Sequence, residues 1–348
     1  MRWARARVTR RHCMSNLEPS IEKLLEETSR SFYLTLNKLP SGVRKQIGLL
    51  YLLARIADTI ADSSVGTTEE LLQTLKSYNS RAQGVSEKMP DMSWLSESQA
   101  NPSEARLLLR SNEAVELLLE LTEKDQEIVR TCLSVIVSGQ VLDLERFGAG
   151  IGERITALEN YDDLDDYAYR VAGSVGEFWT RMTLEHQFNV DDKTREALFE
   201  SGVRFGKALQ MINILRDIPE DLNLGRCYIP VDHLDDHGLS PDDLLEPENM
   251  EQFRGLYDEL LDKTSEHLDS AIEYIGMIPY SQFRLRGACM LPVLIALRTI
   301  SLLRTRNVLD GENRVKVSRD EIKELTRKVI LSIPSKKSCL RLLDSERL

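Results

Sequence analysis

The stretch Asn213-Ile-Leu-Arg216-Asp217-Ile-Pro219-Glu-Asp221 decides how this chain is read. Asp217 and Asp221 are four residues apart, a spacing that stacks two carboxylates on one helix face. Like charges so placed repel, so a fold that keeps them usually sets a cation between them. Gln210 and Asn213 precede Asp217 by seven and four residues and extend the same face as a polar stripe. Oxygen donors of this kind suit Mg²⁺, which takes one or two carboxylates and leaves its other positions to water and phosphate. Arg216 and Arg226 flank the stripe and have the fork geometry that holds phosphate.

A second pair lies about 160 residues upstream, in Arg55-Ile-Ala-Asp58-Thr-Ile-Ala-Asp62. Its helix, Gly42 to Ala61, is apolar nearly all round and therefore buried. Arg55, Asp58 and Asp62 need a reason to sit inside, because an unpaired buried charge is costly. Two such stripes facing each other across a cavity would clamp a diphosphate through bridging metal ions.

Five ordered segments then carry a family resemblance. They are Thr28-Ser-Arg-Ser-Phe32, Tyr51 to Asp62, Tyr167-Ala-Tyr-Arg-Val-Ala-Gly173-Ser-Val-Gly176, Gln210 to Asp217, and Gly225-Arg226-Cys-Tyr228-Ile-Pro230. From about residue 20 to about residue 330 the chain resembles the squalene/phytoene synthase family. The resemblance implies an all-α, single-domain class I isoprenoid synthase bundle around a central apolar cavity. It implies Mg²⁺-dependent head-to-head joining of two farnesyl diphosphates to a cyclopropyl diphosphate, then reduction to squalene by NADPH. No nucleotide fingerprint is readable.

By the same resemblance Asp58, Asp62, Asp217 and Asp221 would hold Mg²⁺. Ser29, Arg30, Ser31, Arg55, Arg216 and Arg226 would bind diphosphate, with Gln210 and Asn213 supporting them. Tyr51 and Tyr167 match catalytic positions, Phe32 would line the cavity, and Tyr228 would close over the site with Arg226. Ala61 stands where many squalene synthases place an acid, and the C-terminal anchor common in eukaryotic members is not seen, so bacterial members are the nearer pattern. Siblings that stop at dehydrosqualene or make phytoene from C20 substrate, a single-substrate terpene cyclase, and a non-catalytic assembly relative are the competing readings.

Composition narrows the rest. The balance of 45 basic to 56 acidic residues, −11 net, argues against a nucleic-acid binder. The five cysteines are scattered and odd in number, which fits a reducing, cytoplasmic setting and neither a zinc site nor a disulfide framework. No unbroken apolar run reaches the ~18 residues of a spanning helix; the longest candidate, Cys289 to Leu303, is interrupted by Arg298. A monomer is expected, with peripheral membrane contact for product release as the alternative to a freely cytoplasmic chain.

The domain reading is a basic tail at 1–15, a helical domain at 16–335 and a frayed tail at 336–348. Helices are expected over 16–36, 42–61, 68–80, 105–144, 161–185, 196–219, 251–276, 281–306 and 318–331, with a loop at 82–104 and no strands. Pro219 removes the backbone bond to the Leu215 carbonyl, so the second metal helix should kink or end between Asp217 and Asp221. Gly173 and Gly176 signal either a bulky ligand or tight helix packing.

Overall fold

The computed structural model describes residues 19–29, 31–148 and 155–347. The Arg-rich N-terminal stretch and Arg30 lie outside the described residues, as do the side chains of Ser31 and Phe32. In chain order the helices are α1 (Pro19–Ser29), α2 (Ser31–Leu36), α3 (Ser41–Ala61), α4 (Thr68–Ala82), α5 (Ser93–Ser98), α6 (Pro102–Leu109), α7 (Ser111–Leu119) and α8 (Glu123–Phe147). They continue with α9 (Tyr161–Ala168), a π-helical turn (Tyr169–Gly173), α10 (Ser174–His186), α11 (Asp192–Arg216) and α12 (Ile218–Asn223). The last are α13 (Val231–Asp236), α14 (Met250–Met277), α15 (Phe283–Thr305), α16 (Arg319–Ser332) and α17 (Lys336–Glu346). The architecture is all-α, as expected.

Helix starts follow side-chain chemistry. Thr67 with Glu70, and Ser318 with Glu321, form reciprocal capping boxes for α4 and α16. Thr122 and Asp191 accept from the backbone of Asp125 and Thr194 to start α8 and α11. The helices pack as a bundle in which α3 lies on α8, α8 on α10, α10 on α11, and α11 on α14. Gly176 is the tightest point: a Cβ there would stand 1.9 Å from the Gly202 carbonyl oxygen. Gly206 answers from α11, where a Cβ would lie 2.0 Å from the Ala172 carbonyl oxygen. Close packing of α10 on α11 therefore accounts for Gly176.

Several expected boundaries move. The loop at 82–104 contains α5 and begins α6, which Asn101 caps with Pro102 behind it. The helix at 105–144 is three helices, broken at Arg110 and again before the Thr122 cap. The expected absence of strands is overturned by a short parallel pair, β1 (Thr156–Ala157) and β2 (Arg226–Cys227), with Thr156 opposite Arg226. Residues 336–346 do not fray but form α17, which buries Cys339 and Leu343. The Pro219 expectation matches: α11 ends at Arg216 and α12 restarts at Ile218. The Leu215 carbonyl that Pro219 cannot serve accepts instead from the Tyr257 hydroxyl at 2.9 Å.

α15 corrects another expectation. Its 23 residues are long and apolar enough to cross a membrane, although most of its apolar stretch is buried within the bundle. Arg286, near its start, is fully buried and donates to the carbonyls of Pro279 and Tyr280 in the turn between α14 and α15.

Candidate active site

The two carboxylate pairs come from helix ends. Asp58 lies in the last turn of α3 and Asp62 caps it, its N–H bonding the Asp58 carbonyl at 2.8 Å. Asp217 caps α11, and Asp221 lies in α12 with its N–H on the Asp217 carbonyl at 3.0 Å. The helix break thus keeps the second pair one turn apart. Arg226 joins the two motifs, its Nη1 reaching Asp62 Oδ1 at 3.2 Å. The β1–β2 ladder fixes the backbone of Arg226 just after Gly225, whose φ of 75° is a turn that favours glycine.

Electrostatics differ sharply between the members. Burial, then the neighbouring Asp62, pushes Asp58 up to about 7, with Arg55 opposing. Burial, then Asp217, pushes Asp221 up to about 7, with Arg226 opposing. Burial would raise Asp217 too, but hydrogen bonds from Arg216 and Arg314 hold it below the usual carboxylate range. Burial works against the charge of Arg226, yet Tyr228, Asp62 and Asp143 raise its pKa above the ordinary arginine value.

Asp143 of α8 was not singled out in the sequence, and it is central. Its Oδ2 accepts from the Tyr167 hydroxyl at 3.1 Å and from the Tyr228 hydroxyl at 2.6 Å. The two tyrosine rings stack at 4.8 Å. Asp143 Oδ1 is buried without a hydrogen-bond partner, and burial pushes the carboxyl up to about 6. Gln140, one turn earlier, donates to Asp58 Oδ1. Both were legible by the logic applied to Asp58: polar residues inside an apolar helix need partners.

The arginines are held by carboxylates. Arg55 pairs with Glu104 of α6, another unforeseen residue. Arg216 binds Asp217 with two contacts, 2.7 and 2.6 Å. Arg314, between α15 and α16, adds Nη2 to Asp217 Oδ1 at 2.6 Å and Nε to Glu220 Oε1 at 3.0 Å. No local sequence signal marks it, since it is 97 residues from its partner.

The remaining candidates are placed as follows. Gln210 and exposed Asn213 lie on α11 ahead of Asp217. Tyr51 donates to the Thr28 carbonyl at 3.0 Å, tying α3 to α1. Ser29 is buried and bonds back to Leu25 in its own helix. Tyr228 is buried against Tyr167 and Phe147, so it belongs to the floor of the site and not to a mobile cover. A cavity of ≈ 10 Å³, room for about one water, lies among Ile214, Asp221, Arg226 and Tyr228. A larger one of ≈ 480 Å³ lies between α4 and α8, lined by Asn79, Gln83, Ser134 and Ser138.

Among the described residues no three His, Cys, Asp or Glu side chains converge as a ready-made metal cage. Paired carboxylates whose charge is raised in cost by one another fit a cation that takes one or two of them and fills its shell with water and phosphate oxygens. That is the donor chemistry of Mg²⁺.

The squalene/phytoene synthase family model matches residues 25–321. The chain belongs to the squalene/phytoene synthase family. It is 27% identical to the squalene synthase of Saccharomyces cerevisiae over 92% of this chain and 68% of that protein. It is 28% identical to the bifunctional lycopene cyclase/phytoene synthase of Podospora anserina, over 73% of this chain and 42% of that protein. The chain thus spans about two thirds of the former and under half of the latter. The TcSQS structure solved with the ligand E5700 superposes with a TM-score of 0.77 at 19% identity, covering 94% of this chain and 89% of that one. The family's arrangement of helices is therefore the arrangement here.

Proposed function

We propose that this chain joins two farnesyl diphosphates head to head in a Mg²⁺-dependent reaction and carries the cyclopropyl product on to squalene. The observation that carries the reading is the approach of Arg226, from one motif, to Asp62, from the other, beside Asp143 and Asp221. Asp58, Asp62, Asp217 and Asp221 would hold Mg²⁺, which when bound neutralises charge on a departing diphosphate. Arg55, Arg216 and Arg226 supply fork-shaped donors to the same oxygens, with Gln210 and Asn213 behind them.

Burial and the surrounding apolar helices keep water from a carbocation. Closing the cyclopropane ring releases a proton. Tyr167 keeps its hydroxyl proton, because burial and then the charges of Tyr228 and Asp143 raise its pKa well above the tyrosine value. Its oxygen can take a proton while passing its own to Asp143 Oδ2, 3.1 Å away. Tyr228, on the same oxygen, fixes that carboxylate.

NADPH as the reductant follows from the resemblance, and no described strand–Gly-loop–helix unit offers it a nucleotide site. The matches to phytoene synthases favour, as a second reading, a sibling that needs no reductant. Purified protein is given farnesyl or geranylgeranyl diphosphate with Mg²⁺, with and without NADPH, and products are identified by mass spectrometry. Squalene formed only with NADPH is the expected result; dehydrosqualene or phytoene under both conditions moves the chain to the sibling, and no product removes the enzyme reading.

We further infer a monomer that touches a membrane peripherally. Residues 274–309 and 325–343 contain no Asp or Glu in an otherwise acidic chain. Their common end exposes Tyr280, Phe283, Ile330 and Leu331, with the Tyr280 hydroxyl on the Pro334 carbonyl at 2.9 Å. Apolar side chains amid arginine and lysine suit an anionic bilayer surface.

A further inference from the structure

Among the described residues, Arg314 is the arginine that reaches the site from outside the recognised motifs. It lies on the strap between α15 and α16, and the strap is anchored on both sides. Val315 and Val317 are buried beneath it at 2% and 9% exposure. Gly311 lies against Pro219, where an added Cβ would be 3.2 Å from the proline ring. The strap therefore packs over the break that separates Asp217 from α12. The Arg314 side chain itself is 44% exposed and reaches Asp217 and Glu220 from the solvent side.

This contact conflicts with metal binding. Both oxygens of Asp217 are already engaged by guanidinium groups, Oδ1 by Arg216 and Arg314 and Oδ2 by Arg216. Arg216 is Asp217's chain neighbour and cannot travel far. Arg314 can, because its backbone is pinned by the valines while its long side chain is free to swing. We propose that Arg314 guards Asp217 until metal and diphosphate arrive together, and then moves from the aspartate to the diphosphate as its outermost ligand. An arginine is suited to both partners, since carboxylate and phosphate present the same two-oxygen edge to its fork. The exchange makes metal alone a poor ligand and the metal–diphosphate pair a good one, because only the pair offers Arg314 a replacement for Asp217. Arg314 is thus a positioning residue for the leaving group, and this assignment rests on the metal reading proposed above.

The test uses the full chain, Mn²⁺ as a titratable stand-in for Mg²⁺, and inorganic pyrophosphate as the probe. Binding is measured by calorimetry for wild type, Arg314→Gln and Arg314→Lys, with Asp217→Asn as the control. Losing one charge-assisted contact corresponds to roughly a tenfold change in affinity. In Arg314→Gln, Mn²⁺ alone is expected to bind about tenfold more tightly, because Asp217 is released, while pyrophosphate at saturating Mn²⁺ binds about tenfold more weakly. Arg314→Lys should keep much of the pyrophosphate affinity. Equal weakening of both ligands overturns the proposal and makes Arg314 a structural clamp on the strap; no change in either makes it an incidental ion pair. If wild type binds neither Mn²⁺ nor the pair, the metal reading itself fails, and that outcome is seen before any Arg314 variant is compared.

Discussion

Replacing Asp58 by Asn should stabilise the metal-free protein while destroying its response to metal. The Asp58 carboxyl is raised from 3.8 to about 7, first by burial and then by Asp62. A carboxylate whose folded pKa exceeds its unfolded one favours the fold when protonated. The folded protein is therefore unpenalised below about pH 4 and loses stability as pH rises toward 7. A shift of about three units corresponds to ~4 kcal/mol at most, at ~1.4 kcal/mol per unit; partial exposure and solvent relaxation reduce that to about 2. Asparagine removes the charge and keeps an oxygen for the Gln140 amide. With ~2.1 cal/mol/K of unfolding entropy per residue over 348 residues, about 2 kcal/mol corresponds to roughly 3 °C in Tm. Thermal melts of wild type and Asp58→Asn without metal, at pH 8 and pH 5, provide the assay. The gain should be largest at pH 8 and fall to well under half at pH 5, where the folded carboxyl is protonated but its unfolded counterpart is still ionised. With Mg²⁺ and pyrophosphate at pH 8 the order should reverse, since wild type alone gains full ligand stabilisation. A variant that melts lower than wild type at pH 8 without metal, or gains equally at both pH values, refutes the reasoning.

Three further outcomes follow from the same structure. Metal must displace protons from Asp58 and Asp221, both near 7, so the half-saturating Mn²⁺ concentration should fall steeply between pH 6 and pH 8, by about tenfold for each proton displaced, and level off above pH 8; a flat titration by calorimetry would count against these two ligands. Gly206→Ala drives a methyl to 2.0 Å from the Ala172 carbonyl oxygen, so it should lower stability by about 3 kcal/mol in urea unfolding with an unchanged m-value. Tyr167→Phe keeps the ring stacked on Tyr228 but removes the hydroxyl on Asp143, so kcat for the first condensation should fall by roughly 10²-fold or more with little change in KM; a KM effect alone would make Tyr167 a binding residue.

What could be read from sequence was whatever is encoded within one helical turn. The two Asp pairs, the buried character of α3 and the Pro219 break are all local, and each reappears in the structure. Tyr257 serving the Leu215 carbonyl is the non-local half of the Pro219 argument, and no spacing rule reaches it. Asp143 and Gln140 carry the signal that the Asp58 argument uses, but no second carboxylate stands four residues from Asp143 to form a pair, since Gly139 and Phe147 hold those positions. Glu104 was hidden because the stretch around it reads as loop, although Asn101-Pro102 is a good helix start. Arg314 carried nothing local: its meaning comes only from the strap's path over Pro219. The short β1–β2 ladder is likewise decided by tertiary proximity, since two residues are too few to show alternation.

The π-helical turn at Tyr169–Gly173 sets a rule for how this chain can change over time. On its N-terminal side Tyr167 faces Asp143; on its C-terminal side Gly176 meets the backbone of α11. The wide turn holds one residue more than an α-helix would, which brings both contacts into phase. Deleting one residue there would restore ordinary α-geometry and swing one side against the other by about 100°. Either the tyrosine would leave its carboxylate or the glycine its close contact. Insertions and deletions within these five residues should therefore be purged more strictly than substitutions, and the length of this turn should outlast its sequence among descendants of the chain.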